Sequence, residues 1–174
     1  MFKGSNVALV TPFKNNKLDE EAYLKLINLH LESGTNGLVP AGTTGESPTL
    51  SHDEHQKVIE ICIKEAKGKI PVIAGTGSNS TEEAVALTKH AEKAGADGAL
   101  IVTPYYNKPT QEGLYQHYKK INDNTSLPII IYNIPSRCVI DMSVDTMAKL
   151  FELKNIVGVK DATGDLNRLD QTIK

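Results

Sequence analysis

PVIAGTGSNSTEEAVALTKHAEKAGADGALIVTP, residues 71–104, carries the pattern on which the fold turns. It opens on a short apolar run, PVIAG. The stretch Ser80–Ala94 then places Ala84, Leu87, Thr88 and Ala91 on one stripe at helical spacing. Ser80 followed three residues later by Glu83 reads as a capping box, and Gly95 falls where a helix C-cap belongs. The chain returns to an apolar run, GALIVTP. Strand, helix and strand within about 30 residues make a βαβ unit. Both strands are apolar on both faces, as parallel strands covered on each side are.

The same unit recurs outward in both directions. NVALVTPF, GLVPAG, PIIIYNIP and IVGVKDAT read as further strands, so strand starts fall near Asn6, Gly37, Pro71, Gly98, Pro128 and Ile156. Glu20–Glu32 places Tyr23, Leu24, Ile27 and Leu31 on one helical stripe. His52–Ala66 does so with Val58, Ile59, Cys62, Ile63 and Ala66, behind a second capping box formed by Ser51 and Glu54. Gly34 and Gly68 stand at the two expected C-caps. Strict alternation means an α/β fold, either a doubly wound sheet or a β/α barrel. Thr11, Thr43, Thr76, Thr103, Tyr132 and Lys160 all lie late in their strands, the end at which a barrel carries its active site. No GxGxxG follows the first strand, which disfavours a dinucleotide-binding sheet. The expectation is a (β/α)8 TIM barrel, of which this chain supplies about the first six βα units. Residues 1–174 are then expected to be the N-terminal part of one barrel catalytic domain.

Composition excludes several function classes. Hydrophobic residues make up 40% and charged residues 23%, as in a soluble globular protein. The net charge of −2 gives no basic surface for nucleic acid or anionic lipid. No apolar run approaches the ~18 residues of a membrane span, and the start shows no signal-peptide cleavage site. The two cysteines, Cys62 and Cys138, read as free thiols of a cytoplasmic protein. His52 and His55 lack a third partner for a metal site. GTGSNS, residues 75–80, reads as a loop with a cap.

Lys160 interrupts the apolar stretch IVGVKDATG, residues 156–164. It is either a strand-end lysine whose stem lies on apolar surface or a Schiff-base nucleophile. The second role needs a neutral amine, and apolar surroundings lower the reference pKa of ~10.4. In AGTTGES, residues 41–47, two glycines flank Thr43 and Thr44. Converging backbone N–H groups there would form an anion nest suited to a small carboxylate; an ordinary βα loop is the plainer reading. PYYNKP (104–109) puts Tyr105 and Tyr106 at the end of the fourth strand, and YNIPSR (132–137) puts Tyr132 at the end of the fifth. Arg137 could fork a substrate carboxylate or be a solvated surface arginine.

GTTGESPTL, PYYNKP, YNIPSR and GVKDATG, in this order and spacing, resemble the dihydrodipicolinate synthase family. It sits among the class I pyruvate-dependent aldolases, which also hold N-acetylneuraminate lyase. The resemblance implies that Lys160 forms a Schiff base with pyruvate and that Tyr132 moves protons beside the imine. It implies that Thr43 and Tyr106 complete a hydroxyl relay, that Thr43 and Thr44 hold the pyruvate carboxylate, and that Arg137 receives L-aspartate 4-semialdehyde. The product would be 4-hydroxy-tetrahydrodipicolinate, in the diaminopimelate route to lysine. No metal or organic cofactor is implied, because the lysine is itself the electron sink.

Further implications are a homo-oligomer, dimer or tetramer, in which the residue matched by Tyr106 reaches a neighbouring subunit. L-Lysine is implied as an inhibitor, at positions matching Ser47, His55, Asn79, Glu83 and Tyr105; Pro48 departs from the small residue expected beside them. Lyases of the group carry serine for the first threonine and lack the arginine, so Thr43 and Arg137 favour the synthase. Against the family pattern the last two βα units and the helical C-terminal region are absent. An inactive truncated barrel or binding module therefore stands as the competing class.

Overall fold

The structure, a computed structural model, describes residues 2–172. Its strands are β1 (Asn6–Ala8), β2 (Phe13–Lys14), β3 (Lys17–Leu18), β4 (Gly37–Val39), β5 (Ile73–Gly75), β6 (Gly98–Val102), β7 (Ile129–Asn133) and β8 (Ile156–Asp161). Its helices are α1 (Glu20–Glu32), α2 (His52–Ala66), α3 (Thr81–Ala94), α4 (Gln111–Asn122), α5 (Pro135–Cys138), α6 (Val144–Phe151) and α7 (Asn167–Thr172). All six strands expected from the sequence are present, with starts within two residues of those read from it. No helix among the described residues is long and apolar enough to cross a membrane.

The contacts divide into two compact units. One comprises residues up to Thr76 with His90–Ala99; the other comprises Gly77–Lys89 with residues from Leu100 onward.

In the first unit β1 and β4 pair in parallel, Asn6 opposite Gly37 and Ala8 opposite Val39. The pairing passes to the segment before β5 through a parallel bridge between Leu38 and Val72. Asp97 ties down the same segment: its N–H donates to Val72 O at 2.9 Å, and its carboxylate accepts from Val72 N at 2.8 Å. The capping box of α2 forms as expected, with Ser51 Oγ accepting from Glu54 N and Glu54 accepting from Ser51 N. Val58, Ile59, Cys62, Ile63 and Ala66 are all buried. The stripe of α1 is narrower than its spacing suggested: Tyr23 and Ile27 are buried, but Leu24 is exposed.

The β2–β3 hairpin was not anticipated. It turns on Asn15 and Asn16, both left-handed at φ 53° and 58°, which is the turn chemistry a two-residue hairpin selects. It consumes the end of the run that read as one long first strand. That strand stops at Ala8, although Leu9 N still donates to Val39 O.

In the second unit β7 and β8 are neighbours in the sheet. Tyr118 fixes α4 by donating its hydroxyl to Ile101 O at 2.7 Å. Asn155 sets the entry to β8: its N–H donates to Asn122 Oδ1, its amide donates to the carbonyls of Asn122 and Thr125, and its carbonyl accepts from Ile129 N. The second capping box differs from expectation. Glu83 N donates to Ser80 Oγ at 3.4 Å, but the Ser80 N–H is held by Ser78 Oγ, whose hydroxyl donates to the Glu83 carboxylate. Ser78, two residues before Ser80, stands where the reciprocal bond would have formed.

Candidate active site

β7 and β8 run parallel with Ile129 opposite Ile156, Ile130 opposite Gly158 and Tyr132 opposite Lys160. The step from 156 to 158 leaves Val157 as an extra residue, a β-bulge. Side chains alternate between faces along a strand, so the bulge reverses the parity of every later residue in β8. Gly158 and Lys160 share a face with Ile130 and Tyr132, while Val159 and Asp161 share the other with Ile131 and Asn133. Lys160 Nζ lies over the Tyr132 ring, 4.2 Å from its centroid.

Lys160 is placed as the strand-end reading has it, without the apolar surroundings that the nucleophile reading calls for. The residue is exposed, and Val157, Gly158 and Val159 before it are only half-buried. Among the described residues β8 has β7 on one side and no strand on the other, so its end lacks that apolar cover. Tyr132, one strand further in, is 6% exposed.

Tyr106 and Arg137 project from loops of the same unit. Tyr106 lies four residues beyond β6 in the left-handed region (φ 73°) and is 88% exposed. Arg137 lies in the single turn α5 and is exposed. Three of the residues matched to a lysine pocket gather in this unit. Tyr105, half-buried, has its hydroxyl pKa raised by burial and then by the Glu83 charge, partly offset by hydrogen bonds involving Ser78 and the Asn79 backbone.

Thr43, Thr44, Ser47 and His55 belong to the first unit. Thr43 and Thr44 are exposed in the turn after β4. The nest is smaller than expected, because the N–H groups of Gly45, Glu46 and Ser47 turn back onto the carbonyls of Gly42 and Thr43. That bonding holds the loop, and Thr11 Oγ1 secures it from below by donating to Gly45 O at 2.7 Å. Ser47 opens a 3-10 turn, and His55 is buried in the first turn of α2. Among the described residues no group of three His, Cys, Asp or Glu side chains could hold a metal ion.

One polar cluster in the second unit escaped the sequence reading. Asn133 Nδ2 donates to Asp141 Oδ1 at 2.8 Å, and Asn133 Oδ1 accepts from Met142 N at 3.1 Å. Arg168 Nη1 donates to Asp141 Oδ2 at 2.5 Å, Nη2 donates to Met142 O at 2.7 Å, and Nε lies 3.3 Å from Asp161 Oδ2. Burial pushes the Asp161 carboxyl up, but hydrogen bonds from Thr163, the charge of Arg168 and a hydrogen bond with Asn133 outweigh it and hold the pKa below the usual value. Only Asn133 and Asp161, polar residues directly after Tyr132 and Lys160, offered a signal in the sequence.

The whole chain, residues 1–174, matches the model of the dihydrodipicolinate synthetase family. A 4-hydroxy-tetrahydrodipicolinate synthase of Pelagibacter ubique is 81% identical over 171 residues, covering 98% of this chain and 58% of the relative. The crystal structure of the chloride-inhibited dihydrodipicolinate synthase of Acinetobacter baumannii complexed with pyruvate superposes with a TM-score of 0.97 at 55% identity, covering 99% of this chain and 60% of that one. The enzyme of Cyanidioschyzon merolae with lysine bound gives 0.95 at 42% identity, with 99 and 60% covered. The chain thus spans somewhat under three fifths of the length of the curated relatives it matches.

Proposed function

The chain belongs to the dihydrodipicolinate synthetase family, and from that premise we propose that it serves in the Schiff-base condensation of pyruvate with L-aspartate 4-semialdehyde. Lys160 is the nucleophile. Its amine adds to the keto carbon of pyruvate, and loss of water gives an imine. Loss of a methyl proton gives the enamine, which attacks the aldehyde carbon and forms the new C–C bond. The amino group of the incoming substrate then displaces the lysine as the ring closes to 4-hydroxy-tetrahydrodipicolinate. Electrons flow into the imine and back, so the protein's own amine is the electron sink.

The observation that carries this reading is the contact between Lys160 Nζ and Tyr132. It puts a phenol beside the atom where protons must be exchanged in forming and discharging the imine. In the same unit Tyr106 continues the hydroxyl relay and Arg137 takes the carboxylate of the second substrate. Tyr106, 88% exposed, suits a residue that completes the site of a second copy in a homo-oligomer. Asn79, Glu83 and Tyr105, all in the second unit, are the part of the implied lysine pocket that this reading uses. The Glu83 carboxylate beside Tyr105 supports this, offering an anion to the ligand's ammonium group.

The test is to incubate the chain with pyruvate, reduce with borohydride and map the mass increase. A stable adduct on Lys160, absent from Lys160→Arg, is the expected result. An adduct on other lysines alone, or none, would overturn the assignment of Lys160 and leave the binding-module reading. Millimolar L-lysine should raise the thermal midpoint of the chain but not that of Glu83→Gln; equal shifts would remove the lysine pocket alone.

A further inference from the structure

Resting on the reading of Lys160 as the nucleophile, we infer that Arg168, acting with Asp141 and Asn133, is the positioning group that keeps the Lys160 amine against the Tyr132 ring. The parallel ladder with β7 fixes the end of β8 from one side. The last rung is the bond from Ala162 N to Asn133 O at 2.8 Å. What holds that end otherwise lies on the face of the sheet opposite Lys160. There Asn133 and Asp161, the residues directly after Tyr132 and Lys160, stand opposite one another. Asn133 donates to Asp141, Arg168 donates to Asp141, and Arg168 Nε lies 3.3 Å from Asp161 Oδ2 as an ion pair without a hydrogen bond, which closes a ring of four side chains.

Charge explains why the arginine matters. Asp141 and Asp161 are two carboxylates in one cluster, and Arg168 is the cation between them, with its side chain 15% exposed. Its planar fork reaches both carboxylates and the Met142 carbonyl at once, which a point-charge ammonium does not reproduce. Without it, two carboxylates face each other across the joint between the loop after α5 and the end of β8. Movement at Asp161 is passed to Lys160 through one peptide unit. The reacting amine tolerates little of this, because a displacement near 1 Å can cost roughly 100-fold in rate.

The test uses the full chain and the variants Arg168→Met, Arg168→Lys and Asp141→Asn, with two readouts. The first is the rate of the borohydride-trapped pyruvate adduct on Lys160. The second is trace acylation with acetic anhydride, reading Lys160 against the exposed Lys149 and Lys154 in the same sample. Adduct formation should slow by about tenfold or more in both arginine variants. Acylation of Lys160 should rise about threefold over the reference lysines as the amine leaves the ring. A purely structural role would move all lysines together, so the opposite movement of the two readouts is the signature. Should Arg168→Met unfold, Asp141→Asn, which removes one of the two carboxylates, carries the same comparison with smaller expected effects. Unchanged relative acylation of Lys160 across the folded variants overturns the positioning role. Absence of an adduct in the unsubstituted chain overturns the Schiff-base reading instead, and the acylation ratio still decides the role of Arg168.

Discussion

Lys160 Nζ rests 4.2 Å from the centroid of the Tyr132 ring, and the two residues are direct partners across β7 and β8. A cation over a phenol face at an exposed position is worth about 0.5–1 kcal/mol. The contact is therefore too weak to hold the strand and strong enough to choose the rotamer of the lysine. The proposed function gives Tyr132 two separable jobs, one done by its ring and one by its hydroxyl.

Tyr132→Phe should separate them. The ring is buried, so phenylalanine keeps the packing and the face presented to Lys160. The trapped pyruvate adduct should form about 100-fold more slowly, the usual lower scale of a lost proton-transfer group, with little change in denaturation midpoint. Tyr132→Ala removes both and should cost about 3–5 kcal/mol of stability. Equal adduct rates in Tyr132→Phe and the unsubstituted chain would show that the hydroxyl takes no part.

The alternation of short apolar runs with helical stripes made the βα order legible, because both faces of each inner strand are covered and each helix needs one apolar stripe. The bounds of α1 and α2 could be read to the residue from their apolar stripes, from the capping box that opens α2 and from Gly34 and Gly68 beyond the two ends, while Asp19, which caps α1, gave no signal that was read. What stayed hidden depends on partners rather than on sequence-local pattern. Counting by twos puts Ile156 and Lys160 on one face; the bulge at Val157 puts them on opposite faces, and nothing in IVGVK announces it. The apolar neighbours of Lys160 left its exposure undecided, because cover comes from partners distant in sequence; among the described residues β8 has a strand on one side only. Arg168 and Asp141 lie 27 residues apart, and only the folded chain brings them together.

Gly75 and Gly42 make a contrasting pair around the threonine turn. A Cβ at Gly75 would collide with the Ala41 carbonyl oxygen and lie 2.6 Å from its carbon and 2.9 Å from Gly42 N, all backbone atoms. Gly75→Ala should therefore cost about 1–3 kcal/mol or more, read as a lowered urea midpoint. A Cβ at Gly42 meets only Val39 Cγ1 at 3.9 Å, so Gly42→Ala should stay within about 1 kcal/mol. The reverse ranking would contradict this packing.

Thr11 holds the same turn by a single bond. It is 5% exposed and donates to Gly45 O. Thr11→Val keeps the shape but leaves that carbonyl without its buried donor, a loss of about 1–3 kcal/mol. Hydrogen exchange at Gly45, Glu46 and Ser47 should accelerate more than exchange in α2. Uniform acceleration would mean that the hydroxyl stabilises the fold without holding the loop.

His117 should set part of the acid sensitivity. It is 4% exposed, its Nδ1 lies 2.8 Å from Thr81 Oγ1, and its Nε2 is buried without a partner among the described residues. Burial lowers its pKa from 6.5 to about 4. Between those values the unfolded chain binds the proton and the folded chain does not, so stability falls as pH falls. The contribution is complete above about pH 6.5 and is lost progressively down to about pH 4, on the order of 3 kcal/mol in total. His117→Gln removes this titration while leaving an amide within reach of Thr81. The stability gap between the two proteins should therefore shift by that amount from pH 7 to pH 4, in favour of the glutamine variant as the solution is acidified. Parallel stability curves from urea titrations over that range would show that His117 takes up its proton inside the folded chain as readily as outside it.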